Sequence, residues 1–268
     1  MLLQTIIAAV LAGKEILEVY DTNFNVEYKD DKSPLTLADK KASDKIVEQL
    51  QHFGIPILSE EGVHESFEIR KHWNQLWIVD PLDGTKEFVK RNGEFTVNIA
   101  LIEDHIPTLG VIYSPVLKDL YFAQKGLGAY KINRKDFETL IHSIESCTLK
   151  QLLTVAQKLP INSARKNYVV VASRSHMSTE TYQHIEHLKL NHNVVEIVNT
   201  GSSIKLCLIA EGVADEYPRY GPTMEWDIAA GQAILLESGC DVIDIETNQS
   251  MRYNRKNLLN NWFIAKRN

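Results

Sequence analysis

LWIVDPLDGTKEFVKRNGE, residues Leu76 to Glu94, sets the frame for the whole chain. It opens on Leu76, Trp77, Ile78 and Val79, an apolar run with the length and residue types of a buried strand. The run is expected to stop at Asp80, because Pro81 has no N–H to continue a ladder. Leu82, Asp83, Gly84 and Thr85 then read as a tight turn, with Gly84 free to take a positive φ. Asp80 and Asp83 are thereby forced together at the end of a strand. Two like charges ~4 Å apart at an effective dielectric of ~20 repel by about 4 kcal/mol. A shared proton can offset this repulsion, and so can a hard divalent cation bound by oxygen ligands. Asp-Gly by itself is ordinary turn chemistry. A strand this apolar, however, ends inside a domain and not at a frayed edge.

Working outward, Ile55–Leu58 reads as a second short apolar strand, and it too delivers carboxylates, in Ser59-Glu60-Glu61-Gly62. Before it, Thr36-x-x-Asp39 reads as a helix start. Ala42, Ile46, Leu50 and Phe53 line one face of that helix until Gly54 ends it. Asp21 to Lys32 is polar and reads as a hairpin or loop. The N-terminal MLLQTIIAAVLAG lacks a basic leading segment, and its apolar run is too short for a bilayer span. Leu3, Ile6, Ile7, Val10 and Leu17 continue at helical spacing, as in an amphipathic helix packed on a core.

After the motif, Phe95–Ile102, Leu109–Tyr113, Leu120–Gln124 and Gly128–Ile132 are separated by turn residues and predict an antiparallel meander. Asn133 to Asn167 is polar, with one expected helix near Leu149–Leu159. From Tyr168 onward strands alternate with helices, which predicts an α/β layer with a mainly parallel sheet. The expected organisation is a first α+β unit over 1–145 and a second α/β unit over 146–268, with the ligand site between them.

The 268 residues carry a net charge of −6 and 44% hydrophobic residues. This suits a globular protein with an ample core and excludes a global nucleic-acid-binding or anionic-membrane surface. Cys147, Cys207 and Cys240 are odd in number and scattered, which fits small buried side chains in a reducing compartment.

One acidic residue of the second half fits the first set. In Met224-Glu225-Trp226-Asp227, Asp227 stands near a helix N-terminus. Alone it reads as a cap. Taken together, Asp39, Glu60, Asp80, the Leu82 carbonyl, Asp83, Thr85 and Asp227 form an oxygen-only ligand supply of high charge, suited to two Mg²⁺ ions sharing a carboxylate. Two such ions ~3.5–4 Å apart serve in-line displacement at phosphorus. Gly201-Ser202-Ser203, opening a helix, is expected to offer N–H donors and hydroxyls to an anion, with Lys205 one turn on. Arg219 is a candidate phosphate fork. Arg174 to His176 is a further candidate. Trp226, Phe88 and Phe95 read as core that supports the site.

Glu60-Glu61 after one strand, Asp80-Pro81-Leu82-Asp83-Gly84-Thr85 after the next, and Trp226-Asp227-Ile228-Ala229-Ala230-Gly231 late in the chain resemble the signature of the lithium-sensitive, Mg²⁺-dependent inositol monophosphatase superfamily. The likeness covers nearly the whole chain and is weakest over Asn133–Asn167. It implies a layered αβαβα sandwich of the sugar-phosphatase type, mixing α/β and α+β. Plain inositol monophosphatases usually continue Gly-Thr-Thr-Asn-Phe, whereas this chain has Gly84-Thr85-Lys86-Glu87-Phe88. Lys90–Asn98, Ser173–His176, Gly201–Lys205 and Tyr217–Thr223 are similar to the 3'(2'),5'-bisphosphate nucleotidase branch.

The resemblance implies that Glu60, Asp80 and the Leu82 carbonyl hold a first Mg²⁺ and that Asp80, Asp83 and Asp227 hold a second. A third ion near Glu60 is left open. It further implies that Gly84 and Thr85 face the scissile phosphate, while Thr85 with Asp39 activates water. Glu60, Leu82, Asp83, Gly84, Thr85, Ser202, Ser203, Lys205, Arg219 and Asp227 would surround the substrate. The implied reaction is adenosine 3',5'-bisphosphate plus water giving AMP and phosphate. The alternatives are an inositol-phosphate or sugar phosphatase of the same superfamily and a catalytically silent metal- and nucleotide-binding regulator. A cytoplasmic location is expected, with loose attachment to the inner membrane face and the oligomeric state both left open.

Overall fold

The computed structural model describes residues 1–22, 26–28, 34–161, 166–173 and 178–267. The chain begins with helix α1 (Leu2–Tyr20), a short antiparallel pair β1 (Val26–Tyr28) and β2 (Pro34–Thr36), and helix α2 (Leu37–Leu50). Strand β3 (Ile57–Ser59) and helix α3 (Phe67–Arg70) precede strand β4 (Gln75–Asp83) and helix α4 (Thr85–Val89). Strands β5 (Thr96–Glu103), β6 (Ile106–Ser114), β7 (Asp119–Gln124) and β8 (Gly128–Ile132) follow as the expected antiparallel meander. Helices α5 (Arg134–Leu140) and α6 (Leu149–Val155) lead to a two-residue strand β9 (Gln157–Lys158). The second half holds β10 (Tyr168–Ser173), α7 (Thr179–Asn191), β11 (Val195–Thr200), α8 (Ile204–Glu211), β12 (Glu216–Arg219), α9 (Glu225–Glu237), β13 (Cys240–Asp244), β14 (Gln249–Ser250) and β15 (Phe263–Arg267).

A seven-stranded sheet runs β3 to β9 in chain order, with β3 parallel to β4. Its last strand, β9, comes from the polar connection expected to hold only a helix, and it pairs with β8. A six-stranded sheet runs β11-β10-β12-β15-β13-β14. The expectation of a mainly parallel second sheet is corrected. β10 is parallel to β11 and β12, whereas β15 runs antiparallel to both β12 and β13. Helix-strand alternation ends at β13, and the chain then returns through β14 and an irregular segment, so β15 enters between β12 and β13 in reverse.

Two cores define the αβαβα layering. The first packs α1 (Ile6, Val10, Ile16) and α2 (Ala42, Ile46, Leu50) on one face of the seven-stranded sheet, through Trp77, Val79, Ile99 and Val111. The second lies between the two sheets, where α8 and α9 pack against Leu76, Ile78, Ala100 and Ile112 on one side and Val169, Val171, Val242 and Phe263 on the other. Helix α7 packs on β11 and β12. Gly110 on β6 lets α9 approach closely: a Cβ there would meet Ala233 Cβ at 2.7 Å and collide with the Ala230 carbonyl. This approach fixes the height of α9, whose first turn bears Asp227.

Helix α2 starts as its sequence predicts. The Thr36 hydroxyl accepts from Ala38 N–H at 3.1 Å, and Asp39 Oδ2 takes both the Thr36 N–H and its hydroxyl at 2.7 Å. Gly54, at φ +67°, ends the turn that follows. No helix among the described residues is long and apolar enough to cross a membrane. The three cysteines are free and buried.

Candidate active site

The strand that carries Asp80 does not stop there. Asp80 pairs with Asn98 and Asp83 pairs with Thr96, so β4 has two residues, Pro81 and Leu82, opposite the single Val97. This is a β-bulge, one of the positions where a strand tolerates proline. Its effect is to change face. Side chains alternate along a strand, so residues three apart ordinarily point opposite ways. Here the extra residue puts Leu82 into the core under α1 and α2 with Trp77 and Val79, and returns Asp83 to the face of Asp80. Gly84, at φ +94°, then turns the chain into α4.

Asp227 arrives from the first turn of α9, where its Oδ2 accepts the Met224 N–H at 2.9 Å. It caps its helix, as its sequence suggests, and its carboxylate also reaches the β4 pair. Carboxylate oxygens of Asp80, Asp83 and Asp227 lie within 4.8 Å of one another. Burial and mutual repulsion push all three towards the protonated form. Asp80 rises well above the usual carboxylate range, through burial and then the charges of Glu60, Asp83 and Asp227. Burial, reinforced by Asp83, raises Asp227 to about 8. Burial raises Asp83 to about 6, against the opposing effect of Lys205 and the hydrogen bonds from Ser203 and Asn98.

Glu60 follows β3, with its N–H bonded to the Val79 carbonyl at 3.1 Å. It lines a cavity of about 480 Å³ together with Asp80, Leu82, Asp83, Gly84, Thr85 and Asp227. Asp39 sits behind Thr85, whose hydroxyl lies 3.4 Å from Asp39 Oδ1 and 3.3 Å from the Leu82 carbonyl. An adjoining cavity is lined by Ser202, Ser203, Lys205, Tyr217, Arg219 and, again, Asp83 and Asp227. All the sequence-derived candidates from Asp39 to Asp227 are thus gathered in one region, while Arg174 to His176 lie outside the described residues. Phe88, Phe95 and Trp226 are buried, as supporting core should be.

One expectation about the Gly201 turn is corrected. Its N–H groups are not all open to an anion: Gly201 N–H bonds Glu94 Oε2 at 2.8 Å and Ser203 N–H bonds Asp83 Oδ2 at 2.6 Å. What faces the second cavity is side-chain chemistry. Ser202 Oγ and Arg219 Nε are buried and lack a hydrogen-bond partner. The Lys205 ammonium donates to the Ser202 carbonyl at 2.5 Å. Burial lowers the Lys205 pKa to about 8, although Asp83 favours its charge.

Asn98 went unnoticed in the sequence. It is a buried polar residue on the face of β5 that also carries Thr96, Ala100 and Ile102, and the Lys90–Asn98 likeness assigned it no role.

Hard oxygen donors that are buried and mutually repelling suit a small divalent cation and are a poor site for anything softer. The "Inositol monophosphatase family" profile matches residues 2–267, and the chain belongs to this family. It is 46% identical over 237 residues to the 3'(2'),5'-bisphosphate nucleotidase CysQ of Salmonella typhimurium, covering 87% of this chain and 86% of the relative. Identity to the Escherichia coli K12 protein of the same name is 43% over the same shares. Among solved structures, CysQ from Bacteroides thetaiotaomicron superposes with a TM-score of 0.88 at 48% identity, covering 98% of this chain and 96% of that one.

Proposed function

We propose that this chain is a Mg²⁺-dependent phosphomonoesterase that removes the 3'-phosphate of adenosine 3',5'-bisphosphate, giving AMP and phosphate, and acts likewise on the sulfated parent nucleotide. The observation that carries this reading is the meeting of Asp80, Asp83 and Asp227 at one point beside the Thr85–Asp39 pair. The choice of substrate is supported by the likeness to the CysQ nucleotidases. Cytoplasmic location is part of the same proposal, supported by the free, buried cysteines.

Glu60, Asp80 and the Leu82 carbonyl would hold one Mg²⁺, and Asp80, Asp83 and Asp227 a second; a third ion near Glu60 is part of the same proposal. When bound, such ions supply an activated water and charge neutralisation at the leaving oxygen. The chain itself does the rest. Asp39 Oδ2 is engaged by Thr36, which turns Oδ1 towards Thr85. A threonine hydroxyl has one proton to donate and lone pairs to accept with. Thr85 therefore passes its proton to Asp39 while accepting one from the attacking water. The Gly84–Thr85 turn brings backbone N–H groups towards the transferring phosphoryl group. Ser202, Ser203, Lys205 and Arg219 line the adjoining cavity, which would take the rest of the nucleotide.

Phosphate release from adenosine 3',5'-bisphosphate, inositol 1-phosphate and fructose 1,6-bisphosphate, with and without Mg²⁺ and Li⁺, tests the reading. The nucleotide is expected to react fastest, only with Mg²⁺, and with inhibition by Li⁺. Preference for inositol phosphate or the sugar would move the chain to another branch of its family. Nucleotide binding without any phosphate release would make it a regulator.

A further inference from the structure

Asp83 has two carboxylate oxygens, and the structure treats them differently. Oδ2 receives two donors, the Ser203 N–H at 2.6 Å and the Asn98 side-chain amide at 3.3 Å. Asn98 is itself fixed, because its Oδ1 accepts the Ser203 hydroxyl at 2.8 Å. That hydroxyl in turn meets Thr96 Oγ1 at 2.7 Å. Thr96, Asn98 and Ser203 are all buried. Thr96 and Asn98 are the β5 partners of Asp83 and Asp80, so the bulge that brings the two aspartates to one face also brings them over this pair.

We propose that Asn98 is a positioning residue: together with the Ser203 N–H it holds Oδ2 of Asp83, so that Oδ1 is the oxygen offered to a divalent cation shared with Asp80 and Asp227. The inference rests on the metal-dependent reading above and extends it to a residue that touches neither cation nor substrate. The physical ground is that a carboxylate free to rotate must be ordered when it binds a metal, whereas one anchored through its other oxygen is ordered beforehand. The anchor has a second consequence. Ser203 supplies both the N–H to Asp83 and the hydroxyl to Asn98 from the turn that opens α8, and this turn lines the second cavity. A ligand that shifts the turn therefore also shifts Asp83.

The test is Mn²⁺ binding to the purified full chain, followed by electron paramagnetic resonance of the free ion, with no substrate present. Asn98→Leu keeps the volume of the side chain and removes both its donor and its acceptor. It is expected to weaken Mn²⁺ binding roughly 10- to 100-fold, the range typical of groups that orient a metal ligand. Thr96→Val, which leaves the Asn98–Asp83 contact intact, is expected to bind within about threefold of the parent. An Asn98→Leu protein that folds, as judged by circular dichroism, and binds Mn²⁺ like the parent would overturn the proposal. If Asn98→Leu does not fold, Asn98→Ser answers the same question, since it keeps a hydroxyl beside Ser203 and loses the reach to Asp83. Failure of the parent itself to bind Mn²⁺ would instead sink the metal-dependent reading.

Discussion

The Thr85 hydroxyl lies 3.4 Å from Asp39 Oδ1, across 46 positions of sequence and between the first turns of two different helices. The contact joins α2, on the outer face of the seven-stranded sheet, to the end of the strand that carries the acidic pair. It also sets a direction, because Asp39 meets Thr36 through Oδ2 and Thr85 through Oδ1.

Thr85→Ala should therefore lower kcat by roughly 10²-fold or more, the usual scale for losing a positioned proton acceptor, while KM changes little. Steady-state kinetics on adenosine 3',5'-bisphosphate in saturating Mg²⁺ would decide. An alanine variant with parental kcat would remove Thr85 from the proton path.

Asp83→Asn keeps the shape of the side chain and removes a charge from the cluster. Turnover is expected to fall about 10²-fold or further, with the Mg²⁺ concentration needed for half-maximal rate rising. The variant should also be at least as stable as the parent in chelator, because one of three mutually repelling buried carboxylates has gone. Reduced stability in chelator, measured by thermal unfolding, would contradict the electrostatic account.

Metal-free stability should fall as pH rises. Asp83 and Asp227 take up protons in the folded state up to about 6 and about 8, whereas unfolded aspartates lose them near the ordinary value of 3.8. Between these limits the folded chain binds more protons than the unfolded one, so each pH increment favours unfolding. Lys205, lowered to about 8, acts in the opposite sense but only above that pH. Mg²⁺ displaces the protons, so it should raise Tm more at about pH 8 than at about pH 5.5, and its binding should release protons. Equal Tm gains at the two pH values, or calorimetric heats that do not vary with the buffer, would refute this.

Gly110→Ala should destabilise the fold by about 1–3 kcal/mol, since the new methyl group collides with α9. Helix α9 carries Asp227, so weaker Mn²⁺ binding is expected alongside the lower Tm. A variant with both quantities unchanged would mean that α9 and β6 can separate freely.

Local chemistry was legible in the sequence, and distant partners were not. Thr36 and Asp39 announce a helix start because both halves of the capping pair lie within four residues, and the structure contains both halves. The meander from Thr96 to Ile132 was readable from its alternation and its turns. Pro81 was misread as a stop, because a proline in a strand signals either an end or a bulge and only the partner strand distinguishes them. The second sheet was expected to be mainly parallel because helix alternation sets the direction of β10, β11 and β12, whereas β15 follows an irregular return that carries no such signal. The Gly201 turn was read as an open anion site because its carboxylate partners, Glu94 and Asp83, lie 107 and 120 residues away.

The single additional residue between Asp80 and Asp83 has an implication for engineering. A chain shortened by Leu82 would keep every acidic side chain of the site, nearly the same mass and the same net charge. It would nevertheless lose the Leu82 carbonyl that faces Thr85 and the side chain that seats the bulge under α1 and α2. Such a deletion would be a charge-matched inactive counterpart of this protein, distinguishable by geometry and almost invisible to composition.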